Sequence, residues 1–201
     1  MAVNDRVHWD GVYDQQAGRA YPPPDALLVA YAPRPLVGGS APVALDVAAG
    51  LGQNALWLAA RGYRVRALDI SPVALERGRA EMVRRGLSGV DFVVVDLEDP
   101  AAVAACLPPE SADLICCFRY LNRALFPALR MAVRPGGLII YQTYNVRHLE
   151  SRAGMNRAYL LEPGGLAGFF PGWEVWHNDE VGDLSRFVGR RPMHAERSGG
   201  S

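Results

Sequence analysis

The chain has 201 residues, of which 50% are hydrophobic, and its 21 basic and 21 acidic side chains cancel in formal charge. This length and composition predict one domain with a substantial core, and the balanced charge argues against a nucleic-acid partner. All the basic residues are arginine, and the absence of lysine excludes a Schiff-base enzyme, a pyridoxal-phosphate enzyme and a P-loop nucleotide-binding protein.

The chain begins with a segment that precedes the predicted sheet. Residues 1–40 include the run Tyr21-Pro22-Pro23-Pro24 and are expected to form a helical lid. From Val43 onward, short β-rich runs alternate with helical stretches, a pattern typical of a mostly parallel sheet with helices on both faces. The first predicted elements are strands over 43–48 and 63–68, followed respectively by helices over about 54–60 and 72–85. Ser71-Pro72 is a typical start for the second helix, with an N-cap serine and a proline at the first helical position.

The second half continues the alternation with weaker signals. Strands are predicted over 90–97, 113–118 and 138–141, with helices near 101–106 and over about 124–133. Arg134-Pro135-Gly136-Gly137 is predicted to be a turn before the fifth strand. Farther on we expect a helical stretch over 166–170, strands over 173–177 and about 184–189, and a disordered tail over 198–201. The sequence therefore predicts a single doubly wound, Rossmann-like α/β domain over 1–197, with a cofactor-binding core over 43–145 and a C-terminal part of the sheet over 146–197.

A glycine-rich turn follows the first predicted strand. The run Gly50-Leu51-Gly52-Gln53-Asn54-Ala55 fits G-x-G-x-x-G/A between a strand and a helix, where glycines let the backbone approach a ligand and helix amides offer donors. Asp69 ends the second strand roughly twenty residues later, where a carboxylate can accept both hydroxyls of an adenosine ribose. These features suit NAD and S-adenosylmethionine equally. Tight packing of the turn, with Asp69 as a cap beside Ser71-Pro72, is the structural alternative.

Three further features resemble class I S-adenosylmethionine-dependent methyltransferases. The run Leu45-Asp46-Val47-Ala48-Ala49-Gly50-Leu51-Gly52 resembles the first motif of that family, in which an acidic residue precedes the glycine turn. Val95-Asp96-Leu97 matches the position from which the family contacts the adenine amino group, and Arg134-Pro135-Gly136-Gly137 matches the turn before its fifth strand. The resemblance covers about 43–179 and is closest to the tellurite-resistance-type small-molecule methyltransferases. It implies a seven-stranded, mostly parallel sheet with an antiparallel last strand.

The resemblance also implies a binding site for S-adenosyl-L-methionine. The expected cofactor-binding residues are Asp46, Ala48, Gly50, Gly52, Asn54, Asp69, Ile70, Asp96, Leu97 and Phe118. Ala48 stands where the family commonly has its first glycine, so we expect the turn to survive with slightly less room for the cofactor. No metal site is expected, because the three cysteines and four histidines lack the spacing of metal ligands.

The methyl acceptor is expected beyond the carboxyl ends of strands four and five, because open α/β sheets bind ligands at that edge. Arg119, Tyr120 and Tyr144 are the catalytic candidates there. Arg119 and Arg123 suit recognition of an anionic acceptor through their guanidinium groups, and solvated or salt-bridged surface arginines are the alternative.

Aromatic residues of the N-terminal segment complete the candidate site. Trp9, Tyr13 and Tyr21 suit contact with the acceptor and closure over the sulfonium of the cofactor, whose charge favours aromatic faces. The alternative is that they form the apolar face of a helix packed on the sheet.

The sequence predicts an enzyme that transfers a methyl group to a small-molecule nucleophile, namely a thiol, a chalcogen oxyanion or a carboxylate, by in-line displacement. A non-catalytic S-adenosylmethionine-binding protein is an alternative, and so is a NAD-linked oxidoreductase, which leaves Asp46 and Asp96 unexplained. An RNA methyltransferase is disfavoured because no basic surface or added module is visible. The adjacent Cys116 and Cys117, and a start without a basic and apolar leader, favour a cytoplasmic chain without a membrane partner. No pattern indicates an oligomeric state.

Overall fold

In the computed structural model, which describes residues 2–36 and 38–193, seven strands form one sheet. In chain order they are β1 (Val43–Val47), β2 (Arg64–Asp69), β3 (Val90–Val94), β4 (Ala112–Phe118), β5 (Val133–Tyr144), β6 (Glu174–Val181) and β7 (Leu184–Arg190). Across the sheet the order is β3-β2-β1-β4-β5-β7-β6, and β1 to β5 are parallel. Strand β7 is antiparallel to both of its neighbours. The predicted fold class, including the antiparallel last strand, is confirmed.

Helices cover both faces of this sheet. They are α1 (Ala2–Asp14), α2 (Ala26–Tyr31), α3 (Gln53–Ala59), α4 (Pro72–Arg84), α5 (Pro100–Cys106), α6 (Phe126–Ala132) and the short α7 (His148–Ser151). Buried side chains of α2, α3 and α4 share one hydrophobic cluster with Ala44 and Ile140, whereas those of α5 and α6 share another with Leu45 and Ile139. Adjacent residues of one strand therefore serve opposite faces, as the two-residue period of a strand requires.

Several element boundaries differ from the sequence predictions. Strand β3 ends at Val94 rather than residue 97, because the Asp96 carboxylate accepts the Glu98 N–H at 2.9 Å and starts a turn. The turn predicted at 134–137 lies inside β5, which begins at Val133 and is irregular opposite Ala112–Leu114. The helix predicted over 124–133 begins as a 3-10 turn, Arg123–Leu125, and continues as α6.

The C-terminal third contains most of the remaining differences. Strand β6 has eight residues and extends past the predicted range of 173–177, whereas the helical stretch predicted over 166–170 is the 3-10 turn Ala167–Phe169. Helix α7 and the 3-10 turn Arg157–Tyr159 were not predicted. The tail predicted over 198–201 lies outside the described residues. Within residues 2–36 and 38–193, no helix has the length and apolar character needed to cross a membrane.

The order of the strands determines where a ligand site forms. Strands β2 and β3 lie on one side of β1, whereas β4 and β5 lie on the other, so the order reverses between β1 and β4. In open α/β sheets a crevice opens at this reversal, outside the carboxyl ends of the strands. The loops after β1, β2, β4 and β5 are therefore the elements that can build the site.

Candidate functional site

The loop after β1 is a tight turn that needs small residues at some of its positions. Gly50 and Gly52 have φ values of 55° and 76°, in the left-handed region. A Cβ atom at Gly52 would lie 2.8 Å from Cε1 of Phe92, so this position has no room for a side chain. Ala48 also has a positive φ of 55°. A left-handed conformation costs a residue with a Cβ atom roughly 1–2 kcal/mol. Alanine at position 48, where the family commonly has glycine, therefore strains the backbone.

Asp46 fixes the start of helix α3 to the sheet. Its side chain is buried, and Oδ2 accepts the Ala55 N–H at 3.0 Å. Oδ1 lies 3.4 Å from the Cys116 Sγ, which donates to it from the neighbouring strand β4. Burial raises the pKa of Asp46 to about 7, against the smaller opposing effect of these two hydrogen bonds. The carboxyl group thus holds the turn from within the protein.

Asp69 faces the same turn from the end of β2. Its Oδ2 accepts the Gly50 N–H at 2.7 Å, and its Oδ1 accepts the Ser71 N–H at 2.9 Å. Burial raises the pKa of Asp69, and the backbone N–H groups act in the opposite direction. Each carboxylate oxygen has lone pairs beyond the one used here, so Asp69 can accept further hydrogen bonds.

The next strand end lies beside Asp69. Asp69 pairs with Val94 in the β2–β3 register, and the Val95 N–H donates to the Asp69 carbonyl at 2.8 Å. Asp96 and the buried Leu97 follow immediately. The remaining predicted cofactor-binding residues border the same edge: Asn54 is buried at the start of α3, Ile70 is half-buried after β2, and Phe118 is buried at the end of β4.

The N-terminal segment covers the glycine-rich turn. A Cβ atom at Gly50 would lie 2.5 Å from the Tyr13 hydroxyl, and the Tyr21 hydroxyl donates to the Leu51 carbonyl. Burial, with the nearby carboxylates of Asp69 and Asp46, raises the pKa of Tyr13. Trp9 lies farther out: its ring is 6.2 Å from that of Tyr13, and the residue is 42% exposed.

Helix α1 is held in this position by contacts with α4. Arg77 donates from Nη1 to the Tyr13 carbonyl at 2.7 Å and from Nη2 to the Gln16 carbonyl at 3.1 Å. The Ser71 hydroxyl, which also caps α4, donates to Oδ1 of Asp10 at 2.5 Å. The N-terminal helix therefore packs on α4, whereas the structural alternative to a lid had expected it to pack on the sheet.

The ends of β4 and β5 form the opposite side of the crevice. Arg119 has a φ of 59°, and its N–H donates to the Gln142 carbonyl at 2.8 Å. Its Nη2 lies 3.2 Å from Oδ2 of Asp25, which Gln142 Nε2 also approaches at 3.2 Å. The sequence analysis did not identify Asp25 or Gln142. The one sequence feature that could have pointed to Asp25 is its position before a helix, because an aspartate there is a typical N-cap. Asp25 does cap α2 by accepting the Leu27 N–H.

The other residues predicted on this side make contacts that do not involve Asp25. Arg123 donates to the Ala158 and Leu160 carbonyls at 2.7 and 2.8 Å, so its guanidinium fastens the post-sheet segment. Tyr120 is half-buried, and burial raises the pKa of its hydroxyl.

Tyr144 belongs to a group that the sequence analysis missed. Its ring stacks on that of His148 with centroids 4.0 Å apart, and His148 Nδ1 lies 2.5 Å from Oδ2 of Asp183. This pair joins residues 35 positions apart, so no local pattern could reveal it.

Comparison with known proteins identifies the domain that this crevice belongs to. Residues 44–137 match the family model described as "Methyltransferase domain". Residues 44–137 therefore belong to a methyltransferase domain, in agreement with the class I, S-adenosylmethionine-dependent type that the sequence resemblance implied. A curated relative, the ubiquinone biosynthesis O-methyltransferase of Thiobacillus denitrificans (strain ATCC 25259 / T1), is 34% identical over 106 residues, which are 50% of this chain and 44% of the relative. The chain spans less than half the length of the curated relatives it matches.

Solved structures share the fold of this methyltransferase domain. One, described as "Conversion of a Disulfide Bond into a Thioacetal Group during Echinomycin Biosynthesis", has a TM-score of 0.68 and 24% identity over 95% of this chain and 93% of its own. TehB from Haemophilus influenzae has a TM-score of 0.61 and 15% identity over 76% of this chain and 58% of its own. At these identities the likeness concerns the fold alone. A methyltransferase domain is consistent with S-adenosylmethionine, which is the cofactor that the sequence resemblance implied.

Proposed function

We propose that this chain transfers the methyl group of S-adenosylmethionine to a small-molecule nucleophile. The observation that carries the proposal is the Asp69 carboxylate, which is fixed by the N–H groups of Gly50 and Ser71 directly beside the glycine turn. When bound, the cofactor supplies an electrophilic methyl group on a sulfonium. The residues around Asp69 have to bind and orient it so that a nucleophile approaches the methyl carbon in line.

The groups on the β1–β3 side fit the adenosyl part of this cofactor. Asp69 would accept the ribose hydroxyls, and Asp96 with Leu97 would border the adenine at the next strand end. Gly50 would let the ligand approach the backbone where the Tyr13 hydroxyl now lies. Gly52 would keep the turn compact, because a Cβ atom there would collide with the Phe92 ring. The remaining expected cofactor-binding residues would shape the binding surface without presenting a charge to the ligand. They are Asp46, Ala48, Asn54, Ile70 and Phe118.

Residues 1–40 would act as a lid over the cofactor. Tyr13 and Tyr21 lie on the glycine turn, where an aromatic face is attracted to a sulfonium. The lid would have to adjust at Tyr13, because its hydroxyl lies in front of Gly50. Trp9 is too far out to share this contact in the present position and would bound the acceptor entrance.

The ends of β4 and β5 would receive the acceptor. Arg119 is the cation on this side that is 49% exposed, which suits an anionic acceptor, and Tyr120 and Tyr144 would flank it. Arg123 would support the neighbouring segment through its two carbonyl contacts and would bind no acceptor. The O-methyltransferase relatives favour an oxygen nucleophile among the candidate acceptors. The balanced charge supports a small molecule rather than a nucleic acid. The free, buried Cys116 and Cys117 support a reducing, cytoplasmic site of action.

The proposal is tested by a screen for methyl transfer. Purified protein is incubated with S-adenosylmethionine and a panel of small carboxylates, phenols, thiols and chalcogen oxyanions, and release of S-adenosylhomocysteine is measured. We expect acceptor-dependent release that the Asp69→Ala variant loses. Tight binding of S-adenosylhomocysteine without turnover across the panel would favour the non-catalytic binding protein instead.

A further inference from the structure

Asp25 joins the cofactor side of the crevice to the acceptor side. Its backbone N–H donates to Oδ1 of Asn54 at 2.8 Å, next to the glycine turn. Its carboxylate accepts Gln142 Nε2 and Arg119 Nη2, both at 3.2 Å, at the ends of β5 and β4. These partners are 29, 117 and 94 residues away in the chain. Asp25 thus connects the start of α3, the residue after β4 and the C-terminal part of β5.

The two members of the ion pair differ in exposure. The Asp25 side chain is 7% exposed and Gln142 is buried, whereas the Arg119 side chain is 49% exposed. A long exposed arginine has about 2 kcal/mol of rotamer entropy when it is not held. A buried carboxylate that also accepts the Leu27 N–H is a rigid anchor for such a side chain.

The backbone of Arg119 adds to this restraint. Its φ of 59° is unusual for a residue with a Cβ atom, and the hydrogen bond to the Gln142 carbonyl holds it there. The contact with Asp25 uses one nitrogen of a guanidinium that carries five N–H donors, so most donors stay available to a ligand. A guanidinium held at one edge presents its remaining N–H groups in a fixed direction.

We propose that Asp25 is a positioning residue that fixes the direction of the Arg119 guanidinium toward a carboxylate-bearing acceptor. This inference rests on the proposed function for the identity of the site, but the restraint itself exists without any acceptor. It follows that removing the Asp25 charge loosens Arg119 and weakens recognition of anionic acceptors, while the ribose contacts at Asp69 are unaffected.

The primary test is a nitrogen-15 NMR measurement of arginine side chains in the full-length protein. Asp25→Asn keeps a side chain that can cap α2 and removes the charge that faces Arg119. The control is Asp99→Asn, because Asp99 caps α5 by accepting the Ala101 N–H at 3.0 Å, the same contact and distance that Asp25 makes with Leu27. The Arg119 Nε signal is assigned by its absence from Arg119→Lys.

We expect a rigid Arg119 Nε–H in the wild type and in Asp99→Asn, and a mobile one in Asp25→Asn. Thermal unfolding of both variants shows that they are folded. An equally rigid Arg119 in folded Asp25→Asn overturns the proposal. If Asp25→Asn does not fold, the wild type alone decides: a mobile Arg119 Nε–H there overturns the proposal.

A second measurement connects the restraint to recognition. The probes are 3,4-dihydroxybenzoate and its uncharged counterpart catechol, titrated in the presence of S-adenosylhomocysteine. We expect Asp25→Asn to weaken binding of the carboxylated probe about fivefold, the upper range for a partly exposed ion pair, and to leave catechol unchanged. In an Arg119→Ala background the same substitution should have no effect, since Asp25 acts through Arg119.

The outcomes separate the two proposals. Equal effects of Asp25→Asn on both probes, or an effect that persists in Arg119→Ala, would show that Asp25 acts structurally and contradict the inference. Failure of the wild type to bind S-adenosylhomocysteine would contradict the proposed function, whereas the Arg119 signal would still decide whether Asp25 fixes the guanidinium.

Discussion

The two sides of the crevice are built in different ways. On the β1–β3 side the key groups are backbone N–H donors and buried carboxylates, and Asp69 binds Gly50, only 19 residues away in the chain. On the β4–β5 side the key group is an exposed arginine held by Asp25, 94 residues away. The first side suits a ligand that is constant, because its contacts are fixed by the backbone. On the second side, few substitutions would change which ligand is recognised. We therefore propose that the first side determines cofactor affinity and the second determines acceptor preference.

The largest expected effect concerns the cofactor side. Asp69→Ala removes the carboxylate proposed to accept the ribose hydroxyls, and should weaken S-adenosylhomocysteine binding at least tenfold, since a hydrogen bond to a charged group contributes about 1.5–3 kcal/mol. Asp91→Ala is the control, because Asp91 is a 68% exposed carboxylate on the adjacent strand β3. Calorimetric titration of both variants measures the difference. Unchanged affinity in folded Asp69→Ala would mean that the ribose lies elsewhere.

Close packing behind the turn gives the next effect. A Cβ atom at Gly78 in α4 would lie 2.7 Å from the Leu51 carbonyl oxygen and 2.6 Å from Cε1 of Phe92. Gly78→Ala should therefore destabilise the protein by about 1–3 kcal/mol through overpacking and displace the turn. At Gly11 in α1, no atom of residues 2–36 and 38–193 lies within 4 Å of an added Cβ atom. Gly11→Ala should therefore stabilise the protein by up to about 1 kcal/mol. Urea unfolding measures both, and stabilisation by Gly78→Ala would contradict the close approach of α4 to the turn.

Burial of Asp46 predicts a pH dependence of stability. Its folded-state pKa of about 7 lies above the usual value of 3.8, so between these values the folded protein retains a proton that the unfolded chain has lost. This contribution makes the wild type less stable as pH rises through that window, by at most about 1.4 kcal/mol per pH unit. Asp46→Asn removes the penalty, so its stability relative to wild type should increase from pH 5 to pH 7. A difference that stays constant with pH would show that Asp46 is ionised throughout.

The acceptor side should respond differently from the cofactor side. Arg119→Ala should lower kcat/KM for an anionic acceptor about tenfold by removing a charged contact, and should change S-adenosylhomocysteine affinity less than about twofold. Arg119→Lys should restore only part of the activity, because an ammonium keeps the charge and loses the fork geometry. Calorimetry and steady-state kinetics on the acceptor found by screening separate the effects. Loss of cofactor binding with normal acceptor kinetics would move Arg119 to the cofactor side.

The smallest effect concerns strain in the turn. Ala48 has a φ of 55°, a conformation that glycine adopts without cost. Ala48→Gly should raise the free energy of unfolding by about 0.5–1 kcal/mol. The same substitution at Ala104, in helix α5, should lower it by about 1 kcal/mol. Destabilisation at both positions would show that Ala48 is not strained.

The same contrast explains what the sequence could predict. The turn at Gly50 and Gly52 is a local pattern, because positive φ values require glycine within a few residues, and the helix start at Ser71-Pro72 follows from capping rules. The requirement for glycine at position 78 could not be predicted from the sequence. It arises because Leu51 comes close to this position only after α4 packs on the turn.

Contacts between distant parts of the chain account for most of what was missed on the acceptor side. Arg119 contacts Asp25 of the N-terminal segment, and His148, on which Tyr144 stacks, contacts Asp183 between β6 and β7. The spacing of these pairs has no period that a sequence reveals. Arg123 was expected to face an acceptor, yet two backbone carbonyls of residues 158 and 160 accept its donors. The residue type and the position after a strand do not distinguish an arginine that faces an acceptor from one that binds backbone carbonyls.

Binding of S-adenosylhomocysteine and of NAD to the purified protein, measured side by side by calorimetry, tests the central claim most directly. Asp69 and Asp96 lie at neighbouring strand ends, where we propose that they border an adenosyl group, and residues 44–137 match a methyltransferase domain. We predict micromolar or tighter binding of S-adenosylhomocysteine and no measurable heat with NAD. Micromolar binding of NAD without a response to S-adenosylhomocysteine would contradict the account.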